Sequence, residues 1–170
     1  ARKIFVSFPK TEKFPLSKMI FLGNPVRKEI LQGDSIEAKE LLRLAGGRPV
    51  VLIIGGSQGS QRINDLILAI LPSLLVELEV IHQVGEKNFA SFKAEADVTC
   101  PDELKGFYHP LPFLKEEEYK QSLAVADLVV SRASGGAIAE ISALGKPSIL
   151  IPLAEAAQGR SRLDAVKTLP

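Results

Sequence analysis

Val50-Val51-Leu52-Ile53-Ile54 is an unbroken apolar run, followed at once by Gly55-Gly56-Ser57-Gln58-Gly59-Ser60. A run of that length suits a strand covered on both faces, as in a parallel sheet. Parallel neighbours require a crossover connection, and a helix comes next. Ile63, Leu66, Ile67, Ile70, Leu71 and Leu74 recur at helical spacing and predict one apolar face. The pattern then repeats. Val80–Gln83 reads as a strand ended by Gly85, Asn88–Ala96 as a helix, and Phe107-Tyr108-His109 as a short strand before Pro110 and Pro112. Glu116–Ala126 reads as a helix with acids in its first turn, the favourable end of the dipole. Leu128-Val129-Val130 is a strand, Ser134-Gly135-Gly136 a loop before a helix reaching Ala143, and Ser148–Ile151 a strand stopped by Pro152. This alternation predicts an α/β fold, an open parallel sheet with helices on both faces.

Upstream, Ile4–Phe8 is β-prone, Pro9 and Pro15 break the chain, and Lys18–Leu22 is a second short apolar run. Gly23-Asn24-Pro25 is a turn signal. Ser35–Leu44 predicts a helix capped by Ser35 and closed by Gly46-Gly47-Arg48-Pro49.

With 170 residues, 46% of them hydrophobic, there is enough chain for one ordinary domain with a real core. A charged fraction of 24% and a net charge of +1 argue against disorder and supply no global field for nucleic acid. Cys100 is the single cysteine, which leaves no disulfide framework and no Cys-rich metal site. No apolar run approaches the roughly 18 residues of a membrane span. The charge is uneven: residues 1–30 hold seven Lys or Arg against two Glu, so +5 lies there and −4 in the remainder. Two readings stay open for that segment, a solvated linker or a stretch lying near anionic headgroups or phosphates. The chain opens on Ala1 and stops at Thr168-Leu169-Pro170 without a helix end, as expected of a piece of a longer protein.

Two strand–glycine–helix junctions, Gly55–Ser60 and Ser134–Ala137, are candidate phosphate cradles. Glycine allows close approach of backbone to ligand, and a helix N-terminus offers unpaired N–H groups and positive dipole charge. Gly55–Ser60 is neither a dinucleotide fingerprint nor a P-loop. Glu140 is placed to accept bonds from ribose hydroxyls or simply to serve the helix dipole. Arg132, at a strand end, suits a phosphate or a structural ion pair. His82 and His109 have no triad or metal spacing and are assigned to structure. Glu116-Glu117-Glu118 reads as a solvated helix start, and Phe113 as either a base-stacking loop aromatic or core.

Taken in order, Gly23-Asn24-Pro25-Val26-Arg27, Gly55-Gly56-Ser57-Gln58-Gly59, Ala126–Arg132, Glu140-Ile141 with Ala143–Pro147, and Ile151-Pro152-Leu153 with Glu155–Gly159 resemble the C-terminal half of the MurG family over nearly the whole chain. The resemblance implies the C-terminal, Rossmann-like, doubly wound domain of a GT-B glycosyltransferase. It implies an inverting hexosyltransferase that moves N-acetylglucosamine from UDP-N-acetylglucosamine to a lipid-linked muramyl-pentapeptide at the cytoplasmic side of the bacterial inner membrane. By position it places Arg27 near the diphosphate, and Ser57 and Gln58 facing diphosphate and sugar. Phe113 and Leu114 would meet the uracil, Gly135, Gly136 and Ala137 a phosphate, and Glu140 the ribose. Residues 1–22 would be a remnant of the interdomain region or N-terminal domain, and residues 23–170 a C-terminally truncated UDP-sugar-binding domain. The acceptor site and catalytic base would lie on the other half, leaving this piece inactive alone; no catalytic residue, cofactor, metal or nucleic-acid partner is expected, while an anionic membrane surface is a candidate partner.

Two departures stand out. Arg132-Ala133-Ser134-Gly135 replaces the family's Arg-Ala-Gly-Ser/Ala, and Arg160–Ala165 replaces its His-Gln-x-x-Asn-Ala, with Ser161 where a glutamine would contact the donor sugar and Asp164 for the asparagine. The competing readings are a UDP-sugar-binding domain of another enzyme class, such as a sugar-nucleotide epimerase, and a non-catalytic remnant.

Overall fold

The computed structural model describes residues 2–7 and 14–152. Ser161 and the Glu155–Gly159 and Arg160–Ala165 stretches lie outside the described residues. Two sheets are present. β1 (Ile4–Val6) and β2 (Met19–Phe21) form a separate parallel pair. The main sheet holds β3 (Val50–Ile54), β4 (Glu79–Gln83), β5 (Tyr108–Leu111), β6 (Leu128–Arg132) and β7 (Ser148–Ile151). Its order is β5-β4-β3-β6-β7 and all neighbours are parallel. The helices are α1 (Ser35–Leu41), α2 (Gln61–Glu77), α3 (Glu86–Thr99), α4 (Glu116–Val125) and α5 (Gly135–Ala143).

All five residues of β3 are buried, as the unbroken apolar run requires. The pleat sends alternate side chains to opposite faces. Val50, Leu52 and Ile54 join one core with Ala38, Leu123 and Ile141, while Val51 and Ile53 join a second with Ile63, Ile67, Leu71 and Phe92. On α2 the buried stripe is Ile63, Ile67, Leu71 and Leu75. Leu66 and Ile70, expected inside, are exposed. The helix seats an i, i+4 ridge on the sheet, which leaves those i+3 positions on its shoulder.

Other boundaries differ for local reasons. Asp34, not Ser35, caps α1: its Oδ1 accepts from the Ile36 and Glu37 amides. β5 continues through Pro110, which an edge strand tolerates because the missing N–H takes nothing from the ladder. Gly135 and Gly136 are not loop residues but the first turn of α5.

Two residues of the sequence motifs prove structural. Asp127 Oδ2 accepts from the Val50 amide at 2.8 Å and so starts β3. Lys146 Nζ donates to the Ala124 and Ala126 carbonyls, both at 2.8 Å, neutralising the negative end of α4. His82 is fully buried with Nδ1 2.9 Å from the Tyr108 hydroxyl, and His109 Nε2 lies 2.7 Å from the buried Glu79 carboxylate. Both histidines are therefore part of the scaffold.

Candidate functional site

From β3 the chain winds one way into β4 and β5 and later returns on the other side to form β6 and β7. The strand order thus reverses between β3 and β6, and ligands of open α/β sheets bind outside the carboxyl ends at such a point. The two glycine junctions leave the sheet there. Between them lies a cavity of about 570 Å³, within the size range of small-molecule sites.

The β3 loop is held open by tight contacts. Gly59 has φ +72°, and a Cβ on it would run into the Val84 carbonyl, so only glycine lets the β3 and β4 loops lie this close. Gln83, the last residue of β4, braces the cavity from behind: its Nε2 donates to the Gly56 carbonyl at 2.8 Å, and its Oε1 accepts from the Leu114 amide at 3.4 Å.

At the opposite wall, α5 points its N-terminus into the cavity. Ser134 caps it, with its Oγ accepting from the Ala137 amide at 3.4 Å. A first-turn amide has no intrahelical partner, so this serine occupies one that a ligand would otherwise take. Gly136 is exposed, and a Cβ there would meet nothing within 4 Å. Arg132, the last residue of β6, lines the same wall. Its Nε is buried without a hydrogen-bond partner, and among the described residues no carboxylate pairs with it. Gly56 makes room for it, because a Cβ at 56 would sit 2.8 Å from the guanidinium. An unpaired arginine beside a helix N-terminus is a receptor for an anion.

Glu140 lies six residues into α5 and is 8% exposed. It is no first-turn dipole acid. Its Oε1 accepts from Arg27 Nε at 2.9 Å, and its Oε2 accepts from the Tyr119 hydroxyl at 3.0 Å. The Arg27 guanidinium stands 5.4 Å over the Tyr119 ring and 4.0 Å from Glu116 Oε1. The hydrogen bond to Glu140 raises the Arg27 pKa further. Burial, with help from the Glu140 charge, pushes the Tyr119 phenol up as well. The ionised carboxylate keeps acceptor capacity beyond these two bonds.

Of the sequence-predicted residues, Arg27, Ser57, Phe113, Leu114, Gly136, Ala137 and Glu140 share the cavity wall. Gln58 and Gly135 do not line it. Phe113 is 40% exposed, which makes it a ring available for stacking and not core, while Leu114 is buried. Arg27 pairs with Glu140 at 2.9 Å and comes within 4.0 Å of Glu116, while half its side chain stays exposed. Glu116, read as solvated, is exposed and also lines the cavity. Gln83 and Tyr119 were missed; the one sequence signal for Gln83 is an amide ending an apolar strand, and for Tyr119 an aromatic one turn into a charged helix. Among the described residues no group of three His, Cys, Asp or Glu is placed to hold a metal ion.

Comparison with known proteins bears on this site. Residues 50–168 match the glycosyltransferase family 28 C-terminal domain. The chain is 36% identical over 169 residues to the UDP-N-acetylglucosamine–N-acetylmuramyl-(pentapeptide) pyrophosphoryl-undecaprenol N-acetylglucosamine transferase of Lachnospira eligens, covering 97% of this chain and 44% of that protein. It is 39% identical over 158 residues to the enzyme of the same name from Geobacillus thermodenitrificans, covering 92% and 42%. The crystal structure of Acinetobacter baumannii MurG superposes with a TM-score of 0.61 at 25% identity, covering 92% of this chain and 41% of that one. The chain thus spans less than half the length of each of these proteins.

Proposed function

Because the chain belongs to glycosyltransferase family 28 through its C-terminal domain, we propose that its cavity binds UDP-N-acetylglucosamine as the donor half of an inverting hexosyltransferase of peptidoglycan synthesis. The acceptor is the lipid-linked muramyl-pentapeptide, held by the half of the protein that precedes residue 23. Residues 1–22, which include the β1–β2 pair, belong with the interdomain region or that half.

The observation that carries this reading is the joining of an unpaired Arg132, the α5 N-terminus and the Glu140 carboxylate in one cavity at the strand-order reversal. Anion receptor and diol acceptor on adjacent walls match a nucleoside diphosphate. In the reaction, a base on the other half takes the proton of the acceptor hydroxyl, and the bond from sugar to UDP breaks. Arg132 and the free first-turn amides of α5 offset the negative charge gathering on the leaving diphosphate. Phe113 stacks on the uracil and the Leu114 backbone bonds its edge. Ser57 lines the cavity where the diphosphate and sugar lie. Arg27 stands near the diphosphate, with its Nε on Glu140 and the guanidinium's other N–H donors left for phosphate oxygens.

No helix among the described residues is long and apolar enough to cross a membrane. The protein works peripherally, at the cytoplasmic face of the inner membrane, with the basic N-terminal segment toward anionic lipid. Membership in family 28 disfavours the epimerase reading, and the sound geometry around Glu140 disfavours a remnant.

The test is a calorimetric titration with UDP, UDP-N-acetylglucosamine and UDP-glucose. Saturable UDP binding, tighter still with the N-acetylglucosamine conjugate, supports the reading. A folded chain that binds none of the three overturns donor binding by this domain.

A further inference from the structure

Tyr119 belongs to none of the motifs described above, yet it touches both charged groups of the inner wall. A glutamate's terminal torsion is broad and roughly two-fold. One donor on Oε1 alone would leave the Glu140 carboxylate free to turn about that bond. A second donor on Oε2 stops the rotation. Arg27 Nε supplies the first at 2.9 Å and the Tyr119 hydroxyl the second at 3.0 Å. With about four acceptor positions on a carboxylate, two remain, one on each oxygen. A vicinal diol requires that pair. The Tyr119 ring also supports the half-exposed Arg27 guanidinium from 5.4 Å, a cation–π contact that keeps the first donor in place.

We propose that Tyr119 is a positioning residue which, by holding Glu140 and Arg27 together, makes the cavity selective for ribonucleoside over deoxyribonucleoside diphosphates. This rests on the UDP-binding reading above. The ligand feature it reads is the pair of 2′- and 3′-hydroxyls on the nucleoside diphosphate. Burial and the neighbouring carboxylate keep the phenol protonated and so a permanent donor.

The test compares the chain with its Tyr119→Phe variant, which keeps the ring and removes the hydroxyl. Both are titrated with UDP and 2′-deoxy-UDP. The Arg27 Nε–H signal is followed by NMR without nucleotide. The unsubstituted chain is expected to prefer UDP by about tenfold or more, the effect of losing a hydrogen bond to a charged group. In Tyr119→Phe the preference is expected to shrink by roughly three- to tenfold, a lost hydrogen bond acting through the carboxylate, and the Arg27 signal to move toward those of exposed arginines. An undiminished preference overturns the proposal, as does equal weakening of both ligands with the Arg27 signal unmoved. If the unsubstituted chain binds neither nucleotide, it is the UDP reading that fails, and the Arg27 signal alone then decides whether Tyr119 holds the pair: an unmoved signal overturns that too.

Discussion

Arg27 and Glu140 are 113 positions apart in the chain, yet Arg27 Nε and Glu140 Oε1 lie 2.9 Å apart. The arginine comes from the segment between the small β1–β2 pair and α1, and the glutamate from helix α5. The contact joins the segment before α1 to the wall of the cavity. Glu140 has 11% of its side chain exposed and Arg27 47%, so the pair is half-wet and its energy is screened. Its consequence is orientation more than stability.

Replacing Glu140 by Gln keeps size and one acceptor but loses the charge that two donors converge on. UDP affinity is expected to fall by about 1.5–3 kcal/mol, the range for hydrogen bonds to a charged group. Isothermal titration calorimetry reads this directly; an affinity within twofold of the unsubstituted chain would remove Glu140 from the site.

Arg132→Met should separate phosphate recognition from base and sugar recognition. The variant is expected to lose roughly tenfold or more for UDP, as a charge-assisted contact is removed, with little change for uridine. The salt dependence of UDP binding should flatten in parallel. Equal losses for UDP and uridine would mean that Arg132 only shapes the wall.

Ser134 caps α5 through the Ala137 amide. Ser134→Ala is expected to cost about 0.5–2 kcal/mol of stability, the usual price of an N-cap, while freeing an amide that faces the cavity. Urea unfolding should show the loss, and UDP binding should hold or tighten. Weaker binding by a folded variant would show that the serine hydroxyl itself contacts ligand.

Burial holds the fully enclosed His82 neutral, with its pKa lowered to about 3. In the unfolded chain an imidazole titrates near 6.5. The folded pKa is the lower one, so this contribution to stability is complete above about pH 6.5 and is lost as pH falls from there toward 3. The expected slope is about 1.4 kcal/mol per pH unit from this residue. Urea midpoints between pH 7 and 5 check it, and a His82→Gln variant should show a shallower decline. An identical decline in both would assign the acid sensitivity elsewhere.

Local chemistry was enough to read the main sheet's strands and the helices between them. The Val50–Ile54 run has the length and composition of a doubly covered strand, and glycine after a strand marks a loop where backbone can come close. The same local rules picked out Glu140, Phe113 and the two glycine junctions as candidates, and the structure brings them to one cavity, because a cavity at strand ends is built from short segments that each carry their own signal. Side-chain partnership does not have that property. Whether Glu140 serves a helix dipole or a cavity depends on Arg27 and Tyr119, which reach it from 113 and 21 positions away. The resemblance places Arg27 near the diphosphate; packing pairs it with Glu140 and, among the described residues, leaves the Arg132 Nε buried without a partner. The i+3 shoulder of α2, the cap on α5 and the brace at Gln83 were settled the same way. Periodicity and turn chemistry act along the chain and are visible in it, whereas the choice of which polar groups satisfy one another is made only when distant segments are packed into the same few ångströms.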